Sequence, residues 1–207
     1  MIDTKQRILD TAERLIADRG YAATSLRHII GEAGVNLAAV HYHFGSKEDL
    51  LDELILQKAT GVNTERLALL DRFEAEAGGG PVPVEKVMSA FFEPMIEVGS
   101  RNPQFVRLMG RMYAEGLLAA VVAKHFQPTL ARFLDVLRRS LPHLPDAELS
   151  SRAQFMIGAM SHAVCGQRPF SQLIGEPQPA DFRCTMRRLM VFLSGGLKAP
   201  ATPEVHQ

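Results

Sequence analysis

Apolar residues recur along this chain at three- and four-residue spacing, and no stretch alternates apolar and polar positions between hairpin turns. That periodicity predicts an all-α protein. The first segment runs from Thr4 to Arg19 with Ile8, Leu9, Ala12, Leu15 and Ile16 on one face. Asp3 and Gln6 have capping-box spacing at its start, and Gly20 offers a left-handed stop. A second segment begins at Thr24 as N-cap, turns Leu26, Ile29, Ile30 and Ala33 inward, and stops at Gly34. A very short third runs from Asn36 as N-cap to about His43. The fourth opens at Ser46, with Asp49 three residues on, and Leu50, Leu51, Leu54 and Ile55 lead into a long helix. It ends before Gly78-Gly79-Gly80, which with Pro81 and Pro83 forms the clearest linker. Longer helical patterns follow over about 84–99, 103–116, 117–141, 146–166 and 180–195, and Asn102-Pro103 is an N-cap followed by proline at the first helical position. Pro94 and Pro128 fall inside their patterns; each removes a backbone donor, which predicts a kink or break. No repeat of fixed period is visible, and the last ten residues read as a frayed tail.

Composition narrows the class. The 207 residues carry 23 Lys plus Arg against 23 Asp plus Glu, with 46% hydrophobic and 22% charged positions. No apolar run approaches the roughly 20 residues of a membrane span, so neither a transmembrane protein nor a disordered chain fits. The start, MIDTKQRILDTAERL, lacks the basic, apolar and small-residue order of an export signal, so a cytoplasmic protein is expected. Two cysteines, Cys165 and Cys184, cannot alone build a disulfide framework or a four-ligand zinc site. Balanced charge also excludes coating nucleic acid by bulk electrostatics, so any DNA binding must come from a local, geometrically specific site.

Three helices in about 45 residues, the second and third joined by AGVN, have the spacing of a helix-turn-helix. Gly34 turns the chain, Val35 plugs the core, and Asn36 caps a helix short enough for a major groove. Val40 and Phe44 face inward with Leu37 in part, leaving Asn36, Ala38, Ala39, His41, Tyr42 and His43 toward solvent. Small Ala38 and Ala39 allow the backbone close to base edges, while neighbouring Tyr, His and Lys suit phosphate oxygens. Each residue also has a plainer reading. Tyr42 can be a hinge aromatic packed on the first helix, Thr24 is in any case a cap, and Lys47 alone is an ordinary surface lysine. His41 and His43, two apart, point to different sides of a helix and do not make a metal pair. Residues 1–56 hold six Lys plus Arg and nine Asp plus Glu, a net of minus three that looks wrong for a DNA reader. The acids Glu48, Asp49, Asp52 and Glu53 gather at the start of the fourth helix, where its dipole favours them, while Arg27 and Lys47 stay beside the proposed groove face.

Taken together, residues 4–56, and above all the ending YHFGSKEDLL, resemble the TetR-type bacterial transcription regulators. The resemblance implies an N-terminal DNA-binding domain over 1–56 and a C-terminal helical bundle for ligand binding and dimerisation over 57–207. It places Asn36, Leu37, Ala38 and Ala39 at base edges and His41 and Tyr42 against phosphates. It also sets Lys47 on a phosphate from the fourth helix, with Thr24, Ser25 and Arg27 holding the backbone from the second. His41 stands where a tyrosine is common and Ala38 where a glycine is common, which bears on the operator sequence rather than the docking mode.

The C-terminal half holds most of the Met and Phe. Phe91, Phe92, Met95, Met109, Met112, Tyr113, Phe126, Met156 and Met160 are candidates for a pocket around a flexible apolar molecule, although the core of a helical bundle has the same composition. Arg107, Arg111, His125 and His162, with Tyr113, are the polar groups able to hold a carboxylate or phosphate. By the same resemblance, helices over about 146–166 and 180–195 pair with their mates in a homodimer; Phe155, Met156, Gly158, Ala159, Ala163, Leu189, Met190 and Phe192 mix small and large apolar residues suited to that contact. The stretch from Ser100 to Leu149 further resembles the fatty-acid-responsive subgroup, which implies a fatty acid or acyl-CoA effector.

Enzyme chemistry finds no support: HExxH, ExxH, GxSxG and GxxxxGK[ST] motifs are all missing. His162 and Cys165, at i and i+3, read as bundle residues rather than metal ligands, and no cofactor is expected. The resulting expectation is a homodimeric repressor that binds double-stranded operator DNA and is released by an apolar or amphipathic small molecule. The alternative is a helical apolar-ligand carrier without operator binding, which leaves the recognition-helix constellation unexplained.

Overall fold

The computed structural model describes residues 3–164 and 181–203. Among them the secondary structure is helical: α1 (Thr4–Arg19), α2 (Leu26–Ala33), α3 (Leu37–His43), α4 (Lys47–Glu76), α5 (Val84–Arg101), α6 (Pro103–Ala114), α7 (Leu118–His125), α8 (Gln127–Ser140), α9 (Asp146–Val164) and α10 (Phe182–Lys198). Cys165, Gly166 and Ala180, which entered the expectations above, lie outside the described residues.

Local chemistry accounts for the boundaries. Asp3 caps α1 by accepting from Lys5 N, but Gln6 turns to Asp10 and Gln57 instead of closing the capping box. The N-cap of α2 is Ser25, whose Oγ accepts from His28 N at 3.2 Å, and not Thr24. Asn36 caps α3 through Ala39 N at 2.8 Å, and Ser46 caps α4 through Asp49 N at 3.0 Å. Gly34 closes α2 at φ 61°, a left-handed turn that a residue with a Cβ adopts only at a cost. The prolines behave differently from each other. Pro128 enters the first turn of α8, where its missing N–H is no loss, and the pattern breaks at Phe126. Pro94 instead lies buried inside an unbroken α5, where packing against α4 and α10 offsets the lost hydrogen bond.

Packing gives one continuous apolar core with two centres. Ile8, Leu9, Leu15 and Ile16 of α1 meet Ile29, Val40, Phe44, Leu50, Leu54 and Ile55, so α1 to α3 close over the first turns of α4. Beyond them Phe91, Phe92, Met95, Phe105, Met109, Phe133 and Met186 form the interior of the α5 to α10 bundle. The expected division at residue 56 falls inside α4, a single helix of about 45 Å that serves both centres. No described helix is long and apolar enough to cross a membrane.

Candidate nucleic-acid interface and buried pocket

The first three helices present a surface whose composition a core does not explain. Tyr42 is 86% exposed and Leu37 is also exposed, both on α3, beside exposed Asn36, Ala38 and His41. Ala39 is half-buried, and Val40 and Phe44 go inward as the periodicity demands. Tyr42 packs edge-on against His43 at 5.1 Å between ring centres rather than on α1, so the hinge-aromatic reading does not describe it. His41 Nδ1 lies 2.9 Å from the Gly45 carbonyl. A carbonyl only accepts, so Nδ1 carries the proton and Nε2 is the nitrogen left for an outside partner.

One of the expected backbone contacts needs correction. Thr24 is 1% exposed, and its hydroxyl donates inward to the carbonyls of Gly20 at 2.7 Å and Leu15 at 3.3 Å, so it is out of reach of a phosphate. Ser25 and Arg27 remain exposed, and among the described residues no ion pair holds Arg27. Lys47 donates to the Tyr21 carbonyl at 2.7 Å and rests 3.9 Å over the Tyr21 ring, which commits one of its three donors and leaves two. Tyr21 in turn donates to Glu48 at 3.0 Å; burial first, and then the Glu48 carboxylate, push its phenol up to about 12. The acidic surplus is largely spoken for: Glu13 pairs with Lys58, Glu32 with Arg14, Glu53 with Lys5, and Asp52 with Lys124 and His125.

A second site lies in the bundle. A small cavity of about 40 Å³ is lined by Arg66, Phe91, Met95, Met109, Phe126, Leu130, Ile157, Met160, Ser161 and Val164. Of the sequence candidates, Phe91, Met95, Met109, Phe126 and Met160 reach it. Phe92, Met112 and Met156 are buried but off this lining, where they pack helix against helix. Tyr113 lies in an adjoining open cleft of about 440 Å³ with Gly116, Ala119, Ala123 and Gly158. Ile157 and Ser161 line both spaces.

None of the polar candidates Arg107, Arg111, His125 and His162 enters the cavity. Arg111 donates to the carbonyls of Ala17 and Asp18 at the end of α1, at 3.4 and 3.1 Å, and Arg107 approaches Asp18 at 3.9 Å. His125 sits 2.8 Å from Asp52, and His162 is exposed. The reason is the amphipathicity of α6: Met109 and Met112 occupy its inner face, so its arginines necessarily leave on the other.

Arg66 is the residue that sequence reading missed. It is 1% exposed in the middle of α4. Its Nε donates to the Phe91 carbonyl at 2.8 Å, Nη1 reaches Asn63 at 3.4 Å, and Nη2 is buried without a partner. The guanidinium lies 4.0 Å over the Phe91 ring and 5.8 Å from that of Phe126. Burial pushes it down to about 9, so it is a cation at neutral pH. A signal was available: Ile55, Ala59, Val62, Arg66 and Leu70 form one buried stripe at helical spacing, with an arginine in an otherwise apolar row.

Besides the contacts of Arg107 and Arg111, polar ties join the bundle to the turn after α1 and to the first turns of α4. Glu115, at the end of α6, accepts from the N–H groups of Tyr21 and Ala22, both at 2.9 Å. Gly20 makes room for it, since a Cβ there would fall 2.3 Å from Glu115 Oε1 and its φ is +90°. On the other side His125 and Lys124 of α7 hold Asp52 of α4 at 2.8 Å each, and Asn63 of α4 donates to the His125 carbonyl at 3.0 Å.

Comparison with known proteins places these halves. Residues 8–54 match the family described as bacterial regulatory proteins, tetR family, and residues 89–196 match the tetracyclin repressor-like C-terminal domain. The HTH-type transcriptional regulator AcrR of Shigella flexneri is 34% identical over 82 residues, 40% of this chain and 36% of that protein, so the chain spans little more than a third of that curated relative. The fold is similar to the ketosteroid transcriptional regulator KstR2 of Mycobacterium tuberculosis, with TM-score 0.65 at 19% identity over 95% of both chains. It is also similar to the fatty acid degradation regulator FadR from Bacillus halodurans, with TM-score 0.66 at 16% identity over 96% of this chain and 98% of that one.

Proposed function

This chain belongs to the TetR family of bacterial regulatory proteins, and from that premise we propose that it is a homodimeric repressor, acting in the cytoplasm, whose grip on operator DNA a small amphipathic molecule releases. The observation that carries the reading is that α6 and α4 each touch the cavity and the DNA-binding half at once. On α6, Met109 lines the cavity while Arg111 and the following Glu115 hold the end of α1 and the turn after it. On α4, Arg66 lines the cavity while Leu50, Leu54 and Ile55 are core to the first three helices. An occupant that repositions either helix therefore changes the placement of α3.

A ligand shifts that placement only through differential affinity for the two states, and tenfold weaker DNA binding requires about 1.4 kcal/mol of coupling. The contact set proposed for DNA is Asn36, Leu37, Ala38 and Ala39 at base edges, with Ser25, Arg27, His41, Tyr42 and Lys47 on the backbone. Two considerations support dimerisation. Phe155 and Phe192 are 70% and 74% exposed on α9 and α10, with Val191 beside them. Two copies of α3 must also reach successive major grooves roughly 34 Å apart. A fatty acid or its acyl-CoA fits the Met-rich lining, in keeping with what the Bacillus halodurans relative is said to regulate.

Fluorescence anisotropy of the full chain with DNA from upstream of its own gene, titrated with fatty acids and acyl-CoAs, tests the proposal. Specific binding released by one of them is the expected result. No binding to that DNA or to a random operator library would overturn it in favour of an apolar-ligand carrier.

A further inference from the structure

We propose that the effector is a free carboxylic acid, bound tail-outward with its carboxylate against the unpartnered Nη2 of Arg66 at the inner end of the cavity. The inference rests on the regulator reading above and narrows it: a fatty acid and its CoA thioester share a tail, and only one of them has a charge where the protein needs one.

The argument begins with what Arg66 lacks. A fully buried cation with an open donor is costly unless an anion completes it. No carboxylate among the described residues pairs with Arg66, and its hydrogen bonds go to a carbonyl and an amide oxygen, neither of which carries charge. The Phe91 ring face offsets part of the cost but leaves Nη2 open. Guanidinium is the side chain best shaped to take a planar carboxylate through two parallel N–H groups. Ser161 is the other polar residue of the lining and supplies a hydroxyl on the wall that leads outward. One guanidinium and one hydroxyl match a single negative charge rather than the two of a phosphate monoester.

Size sets the orientation. The inner cavity of about 40 Å³ has room for a few waters or a carboxylate, not for a chain. Ile157 and Ser161 border both this space and the cleft of about 440 Å³ that Tyr113, Gly116, Ala119, Ala123 and Gly158 line, so the proposed tail runs past them into that cleft. Met95, Met109 and Met160 around the inner end are unbranched and can repack about the carbon atoms next to the head group. A CoA thioester entering tail-first presents a methyl group to Arg66, and entering head-first it is far too large for the inner space. Both leave the cation uncompensated.

Isothermal titration calorimetry of the full chain without DNA, using decanoate, methyl decanoate, decanol and decanoyl-CoA, provides the test. Decanoate should bind at least tenfold more tightly than the other three. Arg66→Met should abolish that preference while raising Tm, because the variant removes a buried charge. The acid-to-ester ratio is read on the unaltered protein, so the conclusion stands even if Arg66→Met does not fold. Equal affinity for acid and ester, a preference for decanoyl-CoA, or no binding by decanoate would each overturn the carboxylate assignment. Failure of the regulator reading shows separately, as loss of operator binding in anisotropy with the calorimetric preference intact.

Discussion

Tyr42 and Thr24 show how differently two residues from one inferred contact set can be used. Tyr42 is 86% exposed and its ring meets only the edge of its neighbour His43, whereas Thr24 turns its hydroxyl inward to backbone carbonyls. Replacing Tyr42 and Lys47 together by alanine should weaken operator binding at least tenfold, about 1.4 kcal/mol. Lys47 also ties α4 to Tyr21, so part of that loss is positional, and circular dichroism and gel filtration would verify that the dimer persists. Thr24→Val should leave DNA affinity nearly unchanged yet lower stability by about 1 to 2 kcal/mol, because two buried carbonyls lose their donor. Equilibrium denaturation separates the two effects. The inward and outward division of α3 was legible from spacing alone. The use of Thr24 was not, because a threonine before a helix looks the same whether its hydroxyl faces the chain or the solvent.

Helices were read well wherever a capping residue or glycine marks their ends, as for α1, α3 and α4. Their polar ties to one another were not, since partners such as Glu115 and Tyr21 lie 94 residues apart. Those ties yield predictions of their own. Glu115→Gln should keep both DNA and effector binding but reduce the change in DNA affinity that the effector causes, measured as the ratio of affinities with and without it. At the far end of α4, Glu74 bonds to Arg132 and Arg139 of α8. The Arg132 hydrogen bond holds the Glu74 carboxyl below its ordinary value against the opposing effect of burial, with Arg139 adding to it. A carboxyl with a lowered folded pKa stabilises the fold above its unfolded value near 4.5 and loses that contribution as pH falls through the folded one. Glu74→Gln should thus cost about 1 kcal/mol at pH 7, a difference that narrows in denaturation curves as the pH is taken progressively below 4.5.

For the whole molecule, charge arithmetic and charge placement point in opposite directions. The first 56 residues are net acidic, yet four of their nine carboxylates are engaged with Lys5, Arg14, Lys58, Lys124 and His125. Few cations remain for phosphates, about two to three per subunit, so log affinity should fall against log salt with a slope on the order of 4 to 6 for a dimer. A slope near 10 in a salt titration would contradict the contact set. Phe192→Asp should convert the dimer to monomer in analytical ultracentrifugation and abolish operator binding along with it, through the lost spacing of two α3 helices. The all-α architecture was visible in the periodicity, and the DNA-binding helix-turn-helix in its motif and the family resemblance it carries. The cavity was visible only as a bias toward Met and Phe, because which of several buried side chains border empty space depends on the three-dimensional placement of five helices.

The fit of Glu115 beside Gly20 has a consequence for anyone building chimeras. The TetR-type halves look interchangeable, and residue 56 looks like a convenient splice. Here, however, the turn after α1 has two N–H groups bonded to an acid contributed from the distant end of α6, beside a glycine at φ +90° whose lack of a Cβ leaves that acid its place. A hybrid carrying this reading head on a foreign receptor would inherit an unfilled notch. It should bind its operator but fail to hear its ligand until a carboxylate is engineered opposite Tyr21 and Ala22.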